Sequence, residues 1–154
     1  GTIYITSSGD KLSKVVLENV TMSGNSCAFE GQDIYLANKG ILEMKNCSIQ
    51  SGSGNRTAIY RAGASSQLTL DGKCTASIYT PAAVALADSF SAESQIDLYL
   101  DAYTDGKVVL TGTDAVVEAS LLAFTLPELT DDLQLALQLV AGTGAVLVST
   151  ETEP

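Results

Sequence analysis

The residues best suited to bind a ligand are tyrosines at matching positions of short apolar segments. Tyr4, Tyr35 and Tyr60 each follow an isoleucine. Successive side chains of a strand point to opposite faces, so the three rings lie on the face opposite their apolar neighbours. Side by side, they would form an aromatic platform with hydroxyl rims that suits sugar rings. The same pattern also fits cross-strand aromatic pairing that only stabilises a sheet.

Arg61 is the fourth candidate ligand-binding residue. It stands where the matching segments carry the apolar Ile5, Leu36 and Leu86. A charge buried there would need a partner, because burying an unpaired charge is costly. We therefore expect the strand to end at Tyr60 and the Arg61 side chain to reach solvent, with pairing to a carboxylate as the alternative. A carbohydrate lyase would have to draw its base from Arg61 or Arg56, the two arginines of the chain.

The candidate metal ligands are three aspartates, Asp97, Asp101 and Asp105. Their oxygens suit Ca²⁺, but their spacing matches neither an EF-hand loop nor the Gly-Gly-x-Gly-x-Asp calcium repeat. We expect a solvated acidic loop, no metal ion and no cofactor. The chain has no His, which excludes His-based triads, His-ligated metals and His general bases. No catalytic residue is assigned.

The charge of the chain limits its partners. Its 154 residues include 8 Lys and Arg against 18 Asp and Glu, a net charge of −10. This balance argues against binding nucleic acid or an anionic membrane through a basic surface.

No apolar run approaches the length of about 18 residues that suggests a membrane-spanning helix, so no membrane insertion is expected. The length suits one domain, and we expect a segment of a larger protein with flanking domains.

The cysteines are Cys27, Cys47 and Cys74. Three thiols cannot all pair within one chain, and no CxxC motif suggests a zinc site. We expect small buried hydrophobes. Cys47 and Cys74 occupy matching positions, so a bridge is geometrically conceivable, although a ladder of thiols is the expectation.

The chain repeats a pattern at intervals of about 26 residues. Apolar segments begin at Ile3, Ile34, Ile59 and Val84, the last three 25 residues apart. A polar stretch and a second apolar alternation follow each of them. This spacing is too long for a hairpin meander and too short for a βαβ unit. After the second alternation come Asn19, Asn46 and Gly72, residue types that tolerate a positive φ, which predicts a left-handed bend.

The fragments VLENVTMSGN (residues 16–25), ILEMKNCSI (41–49) and AIYRAG (58–63) carry a resemblance to a known family. They resemble the "LxNVTISGN … IYxxG" coils of adhesin-like bacterial cell-surface proteins, which are right-handed parallel β-helices. The resemblance covers roughly residues 1–110 and implies about four coils stacked about 4.8 Å apart. It also implies an asparagine ladder at Asn19 and Asn46. The inward ladders it implies are Ile3/Ile34/Ile59/Val84, Val15/Leu42/Leu68/Ile96, Leu17/Met44/Leu70/Leu98 and Val20/Cys47/Cys74.

Residues 111–154 depart from that pattern. At the junction, over residues 107–122, short strands are expected around Val108-Val109-Leu110 and Val116-Val117. Leucine at every second position over 133–139 indicates a strand, followed by a turn over 141–144 and a strand over 145–148. This hairpin would cover the open end of the coils. A helix over 129–140 is the alternative, because Leu and Gln favour helices.

These observations favour an all-β, right-handed parallel β-helix over residues 1–110, with terminal strands or a hairpin cap over 111–154, in a single domain. The rival fold is an antiparallel sandwich, which requires tight two-residue hairpin turns. Few such turns are evident before residue 140.

The resemblance implies a non-catalytic structural or adhesive segment of a secreted or surface-attached bacterial protein. Its partner would be a glycan or a protein of a host or cell surface. One alternative is an enzyme on the same scaffold, either a polysaccharide lyase or a glycoside hydrolase. A hydrolase would need two carboxylates facing one groove. The other is a self-associating module that stacks through its coil ends.

Overall fold

The structure is a computed structural model that describes residues 3–27, 31–51 and 57–151. These residues are mostly β, with the helix α1 (Asp114–Ser120) and single 3-10 turns at Leu121–Ala123 and Asp131–Leu133. The strands in chain order are β1 (Ile3–Ile5), β2 (Lys14–Glu18), β3 (Thr21–Met22), β4 (Ile34–Leu36), β5 (Ile41–Lys45), β6 (Ser48–Ile49), β7 (Ile59–Arg61), β8 (Gln67–Asp71), β9 (Thr75–Thr80), β10 (Val84–Leu86), β11 (Gln95–Leu100), β12 (Val108–Thr111), β13 (Phe124–Thr125), β14 (Leu135–Val140) and β15 (Gly144–Ser149).

The strands form two sheets, between which the chain passes back and forth. The first has the order β1-β4-β7-β9-β11-β13, with β3 and β6 alongside, and its strands pair in parallel. The second has the order β14-β15-β12-β10-β8-β5-β2. Its strands from β2 to β12 pair in parallel. The antiparallel sandwich is therefore wrong, because it requires antiparallel pairing of successive strands.

The core consists of apolar side chains that are in register on neighbouring strands of each sheet. In the second sheet Leu17 pairs with Met44 and Met44 with Leu70, so these three residues lie in one column as expected. Met44 and Leu70 are fully buried. In the first sheet Ile34 pairs with Ile3 and Ile59. Each fully buried side chain of this size contributes about 1.5–3 kcal/mol, so these columns hold the sheets together.

The fourth members of three expected ladders are wrong. Val84 lies in β10 of the second sheet, and the residue beside Ile59 is Ile78 instead. Ile96 and Leu98 lie in the first sheet, where they pair with Ala76 and Ile78. The first three members of each ladder are placed as expected.

The reason is a shortened interval between successive strands of the first sheet. Earlier in the chain β6 and β7 are separate strands, whereas the six residues of β9 are continuous and pair with both of them. From Ile59 to Ile78 the interval is 19 residues, against 25 from Ile34 to Ile59. A constant interval therefore places β10 and β11 in the wrong sheets.

The left-handed bends are confirmed. Asn19, Asn46 and Gly72 have φ values of 57°, 53° and 61°. The backbone N–H of Asn19 donates to the Lys45 carbonyl at 3.0 Å, and that of Asn46 to the Asp71 carbonyl at 3.1 Å. The bend therefore recurs at the same place in neighbouring strands. The side-chain oxygen of Asn46 also accepts from the backbone N–H of Lys73 at 3.0 Å, across neighbouring segments.

The carboxyl-terminal segment combines a helix with a hairpin. The strand expected at Val116-Val117 is wrong, because these residues lie in α1. The Thr113 hydroxyl accepts from the Val116 N–H at the helix start, and Val116, Val117 and Ser120 are buried together, which gives the segment a helical period. The hairpin is confirmed: β14 and β15 are antiparallel, and β15 pairs with β12 at the end of the second sheet. Residues 129–140, all of them described, do not form the alternative helix, although β14 starts only at Leu135.

Candidate functional site

The candidate site is a row of tyrosines on the outward face of the first sheet. Tyr4 pairs with Tyr35 and Tyr35 with Tyr60. Their neighbours along each strand point into the core, for example Ile34 and Leu36, which are fully buried. The structure thus brings together the three tyrosines that the sequence singled out.

The row has further members that the sequence analysis missed. Tyr79 is in register with Tyr60, and Tyr99 with Tyr79. Ile78-Tyr79 repeats the dipeptide that marks Tyr35 and Tyr60, and this was the available signal. We call Tyr4, Tyr35, Tyr60, Tyr79 and Tyr99 the tyrosine row.

The rings of the first four members of the tyrosine row, Tyr4, Tyr35, Tyr60 and Tyr79, stack on one another. Ring centroids of successive pairs from Tyr4 to Tyr79 are 5.1, 5.5 and 4.7 Å apart, with interplanar angles of 12°, 25° and 7°. The faces of Tyr35 and Tyr60 therefore contact neighbouring rings and do not form a flat platform for sugar rings. Tyr35 and Tyr60 present ring edges and hydroxyl groups, whereas Tyr4, which is 66% exposed, offers an outer face.

Polar side chains lie beside the tyrosine row on the same outward face. Thr75 is in register with Ser48 and Gln95. Ser77 is in register with Asp97. Hydroxyl, amide and carboxylate groups thus stand next to a row of phenols, and such groups form hydrogen bonds with hydroxyl-rich ligands.

Arg61 lies on the opposite face of its strand from the tyrosine row. Its side chain is buried at 3% exposure, so the expectation that it reaches solvent is wrong. The alternative partner, a carboxylate, is also not what binds it. Nε donates to the Ser66 hydroxyl at 2.7 Å, and a terminal nitrogen donates to the Ala83 carbonyl at 2.8 Å and the Thr80 hydroxyl at 3.2 Å. The other terminal nitrogen donates to the Ser66 carbonyl.

Neutral oxygens thus hold the guanidinium in the core. Burial lowers the pKa of Arg61, because desolvation disfavours the charged form. A buried charge is tolerated when its donors are satisfied. The hydrogen bonds of Arg61 join Ser66, which precedes β8 in the chain, to Thr80 and Ala83, which follow it. Arg56, the other arginine considered, lies outside the described residues.

The three aspartates of the acidic segment have separate surroundings. Asp97 is exposed on β11. Asp101 forms an ion pair with Lys107 at 2.7 Å, and Asp105 accepts from the backbone N–H of Ser149 at 2.9 Å. Within residues 3–27, 31–51 and 57–151, no group of three or more Cys, Asp or Glu could hold a metal ion.

A groove on the outward face of the second sheet is a further feature that the sequence analysis did not single out. It encloses about 240 Å³ and is lined by residues that include Val16, Glu18, Lys45 and Asp71. Glu18, Lys45 and Asp71 are in register on neighbouring strands, so charges alternate in sign along the column. Such alternation is favourable within a sheet.

Cys47 and Cys74 lie at matching positions of neighbouring segments, because the residues that follow them, Ser48 and Thr75, are in register. Cys47 and Cys74 are buried and Cys27 is half-buried. The Cys74 thiol lies 3.2 Å from the Asp71 carbonyl, and burial raises its pKa. A raised pKa lowers the reactivity of a thiol, because the thiolate is the nucleophile.

Comparison with protein-family models, curated proteins and solved structures found no match to this chain. Among the described residues, no helix has the length and apolar character needed to cross a membrane.

Proposed function

We propose that this chain is a non-catalytic structural and adhesive segment of a surface or secreted protein, and that its tyrosine row binds a glycan. The architecture proposed is a right-handed parallel β-helix. Parallel pairing of equivalent residues supports it, as does the passage of the chain between the sheets from β1 to β13. Connections between parallel strands are right-handed in nearly all proteins.

The observation that carries the proposed function is the continuity of the tyrosine row. Successive ring centroids lie 4.7–5.5 Å apart over four strands, so phenol groups recur along the sheet. A polymer of repeating sugars can meet such a row several times, and several weak contacts on one ligand raise the overall affinity. The polar residues Thr75, Ser77 and Gln95 add hydrogen-bonding groups on the same face.

The stacked arrangement determines how the sugar would be held. The ring faces of Tyr35 and Tyr60 are occupied by neighbouring rings. The ligand would therefore lie across ring edges and bind the phenol hydroxyls rather than stack on an aromatic face. This mode predicts that hydroxyl groups matter more than ring area.

A glycan array with two double variants tests the proposal. Tyr35→Phe/Tyr60→Phe removes the hydroxyls and keeps the stack, whereas Tyr35→Ala/Tyr60→Ala removes both. We expect both variants to lose most of the array signal, while Glu118→Ala on the exposed side of α1 retains it. Circular dichroism checks that each variant is folded. An unchanged signal from the folded alanine variant would dismiss the tyrosine row as the binding site.

The extracellular or surface location is part of the same proposal, since an adhesive face must be accessible from outside the cell. Antibodies against the chain should label intact cells of the source. Labelling that appears only after permeabilisation would contradict the location.

A further inference from the structure

The first two strands of the chain are end strands of the two sheets. β1 is the end strand of the first sheet and β2 the end strand of the second. In the described part of the chain each is paired on one side only, with β4 and β5. An exposed strand edge presents backbone donors and acceptors that can pair with another chain. We call this surface the amino-terminal edge.

The amino-terminal edge is apolar as well as unpaired. Tyr4 and Val16 are 66% and 58% exposed. Val15 and Leu17 are only partly buried, whereas Leu42 and Met44, the residues in register with them, are fully buried. The core columns thus become accessible at this edge, and another strand laid against it would bury them further.

We propose that the amino-terminal edge binds a second copy of this chain through a twofold axis, with β2 antiparallel to the partner's β2. The outward residues of β2 are Lys14, Val16 and Glu18, with valine at the centre and opposite charges at the ends. An antiparallel pair centred on Val16 places Lys14 of each protomer opposite Glu18 of the other. A twofold interface requires this kind of self-complementary surface.

The charges of the second sheet support this pairing. Glu18, Lys45 and Asp71 alternate in sign along their column. Lys14 of the second copy would continue the alternation beyond Glu18. Lys14 also lies 3.0 Å from Glu43 of its own chain, which keeps its side chain on the outward face where the partner's carboxylate would meet it.

β1 has a matching pattern. Its sequence Ile3-Tyr4-Ile5 reads the same in both directions. An axis passing near the centres of both strands would set Tyr4 against Tyr4 of the second copy, and the tyrosine row would continue across the interface. Head-to-tail stacking lacks this match, because β14 at the other end of the second sheet carries no charged residue to meet Lys14 or Glu18. The association goes beyond the proposed function and does not depend on a glycan.

Charge reversal tests the twofold pairing by sedimentation velocity of the full chain over a concentration series at low salt. We expect the wild-type chain to be in equilibrium between monomer and dimer. Lys14→Glu places glutamates opposite each other at two points, and Glu18→Lys does the same with lysines. Each variant alone should raise the dimer dissociation constant roughly tenfold. Lys73→Glu and Glu118→Lys, which make the same charge changes at exposed positions elsewhere, should leave it unchanged.

Mixing the Lys14→Glu and Glu18→Lys variants is the decisive experiment. The Lys14→Glu protomer is acidic at both ends of β2, and the Glu18→Lys protomer is basic at both ends. Both opposed pairs of a mixed dimer are therefore attractive, and the heterodimer should recover the wild-type affinity. This recovery also shows that both variants are folded. A wild-type chain that stays monomeric at every concentration overturns the proposal. So do assemblies that keep growing with concentration, or a dimer that mixing does not restore.

Discussion

The side-chain oxygen of Asn46 occupies the space that a Cβ on Gly72 would need. A Cβ built on Gly72 would overlap this oxygen, and Gly72 has a φ of +61°. The same oxygen accepts a hydrogen bond from the backbone N–H of Lys73. The bend of one strand is therefore fastened to the bend of the next, and a side chain at position 72 would have to displace the Asn46 amide from this hydrogen bond.

Gly72→Ala should strongly destabilise the protein. Gly9 has the same φ of +61°, but a Cβ there meets none of the described atoms within 4 Å. Gly9→Ala therefore measures the conformational cost alone, about 1 kcal/mol. Gly72→Ala adds the overlap with Asn46 and should lower the free energy of unfolding by about 3 kcal/mol. Urea denaturation of both variants provides the comparison, and equal losses would show that the overlap is relieved at no cost.

These bends were predictable because the signal is local. Asn and Gly adopt the left-handed conformation most readily, so their recurrence at the same offset after β2, β5 and β8 predicts the bends at Asn19, Asn46 and Gly72. The pairing of β2, β5 and β8 followed from the same offsets. Where the interval stayed near 26 residues, the register could be deduced from the sequence.

The register after β8 could not be deduced from a fixed interval. The continuous alternation of β9 replaces two short strands and shifts later residues between the sheets. The dipeptide Ile78-Tyr79 carried the information, but its distance from Ile59 fell outside the assumed interval. Tyr79 was missed as a member of the tyrosine row for this reason.

The burial of Arg61 depends on tertiary contacts that are not evident in the sequence. Its neutral partners come from Ser66, Thr80 and Ala83, residues that carry no charge to indicate a partner for a cation. A search for a carboxylate could not find them. The helix α1 was missed because Val116 and Val117 are β-branched residues, which favour strands, whereas the Thr113 cap and the packing of both valines determine the outcome.

Arg61→Leu should destabilise the protein although it restores the residue type found at Leu36. The substitution removes the donors to the buried carbonyl of Ser66 and the partly buried carbonyl of Ala83. We expect a loss of roughly 3 kcal/mol in the free energy of unfolding, because buried acceptors without donors are costly. The exposed Lys73 offers a control, and Lys73→Leu should change stability by less than about 0.5 kcal/mol. Denaturant unfolding measures both, and a neutral or stabilising Arg61→Leu would contradict the role assigned to these bonds.

The cysteines should differ in reactivity according to burial. Cys47 and Cys74 are both buried, which limits access to reagents. Burial also raises the pKa of the Cys74 thiol, so Cys74 forms little thiolate near neutral pH. Cys27 is half-buried. Brief alkylation of the native chain followed by peptide mass mapping should label Cys27 first, and denaturant should make all three sites reactive. Native labelling of Cys74 at the rate of Cys27 would rule out the protection expected from burial.

Tyr103 should make the stability of the protein fall in alkaline solution. Burial raises the pKa of its phenol, although the hydrogen bond from the Leu100 N–H at 3.0 Å acts in the opposite direction. The folded chain therefore retains a proton that the unfolded chain loses once the pH exceeds about 10, the ordinary pKa of tyrosine. The free energy of unfolding then decreases as the pH rises through this range, and Tyr103 contributes no pH dependence near neutrality. Tyr103→Phe removes the ionising group, so its stability should decline less between about pH 9 and pH 11 than that of wild type. Parallel declines of the two proteins in urea titrations at each pH would show that the phenol is no harder to ionise in the fold than in the unfolded chain.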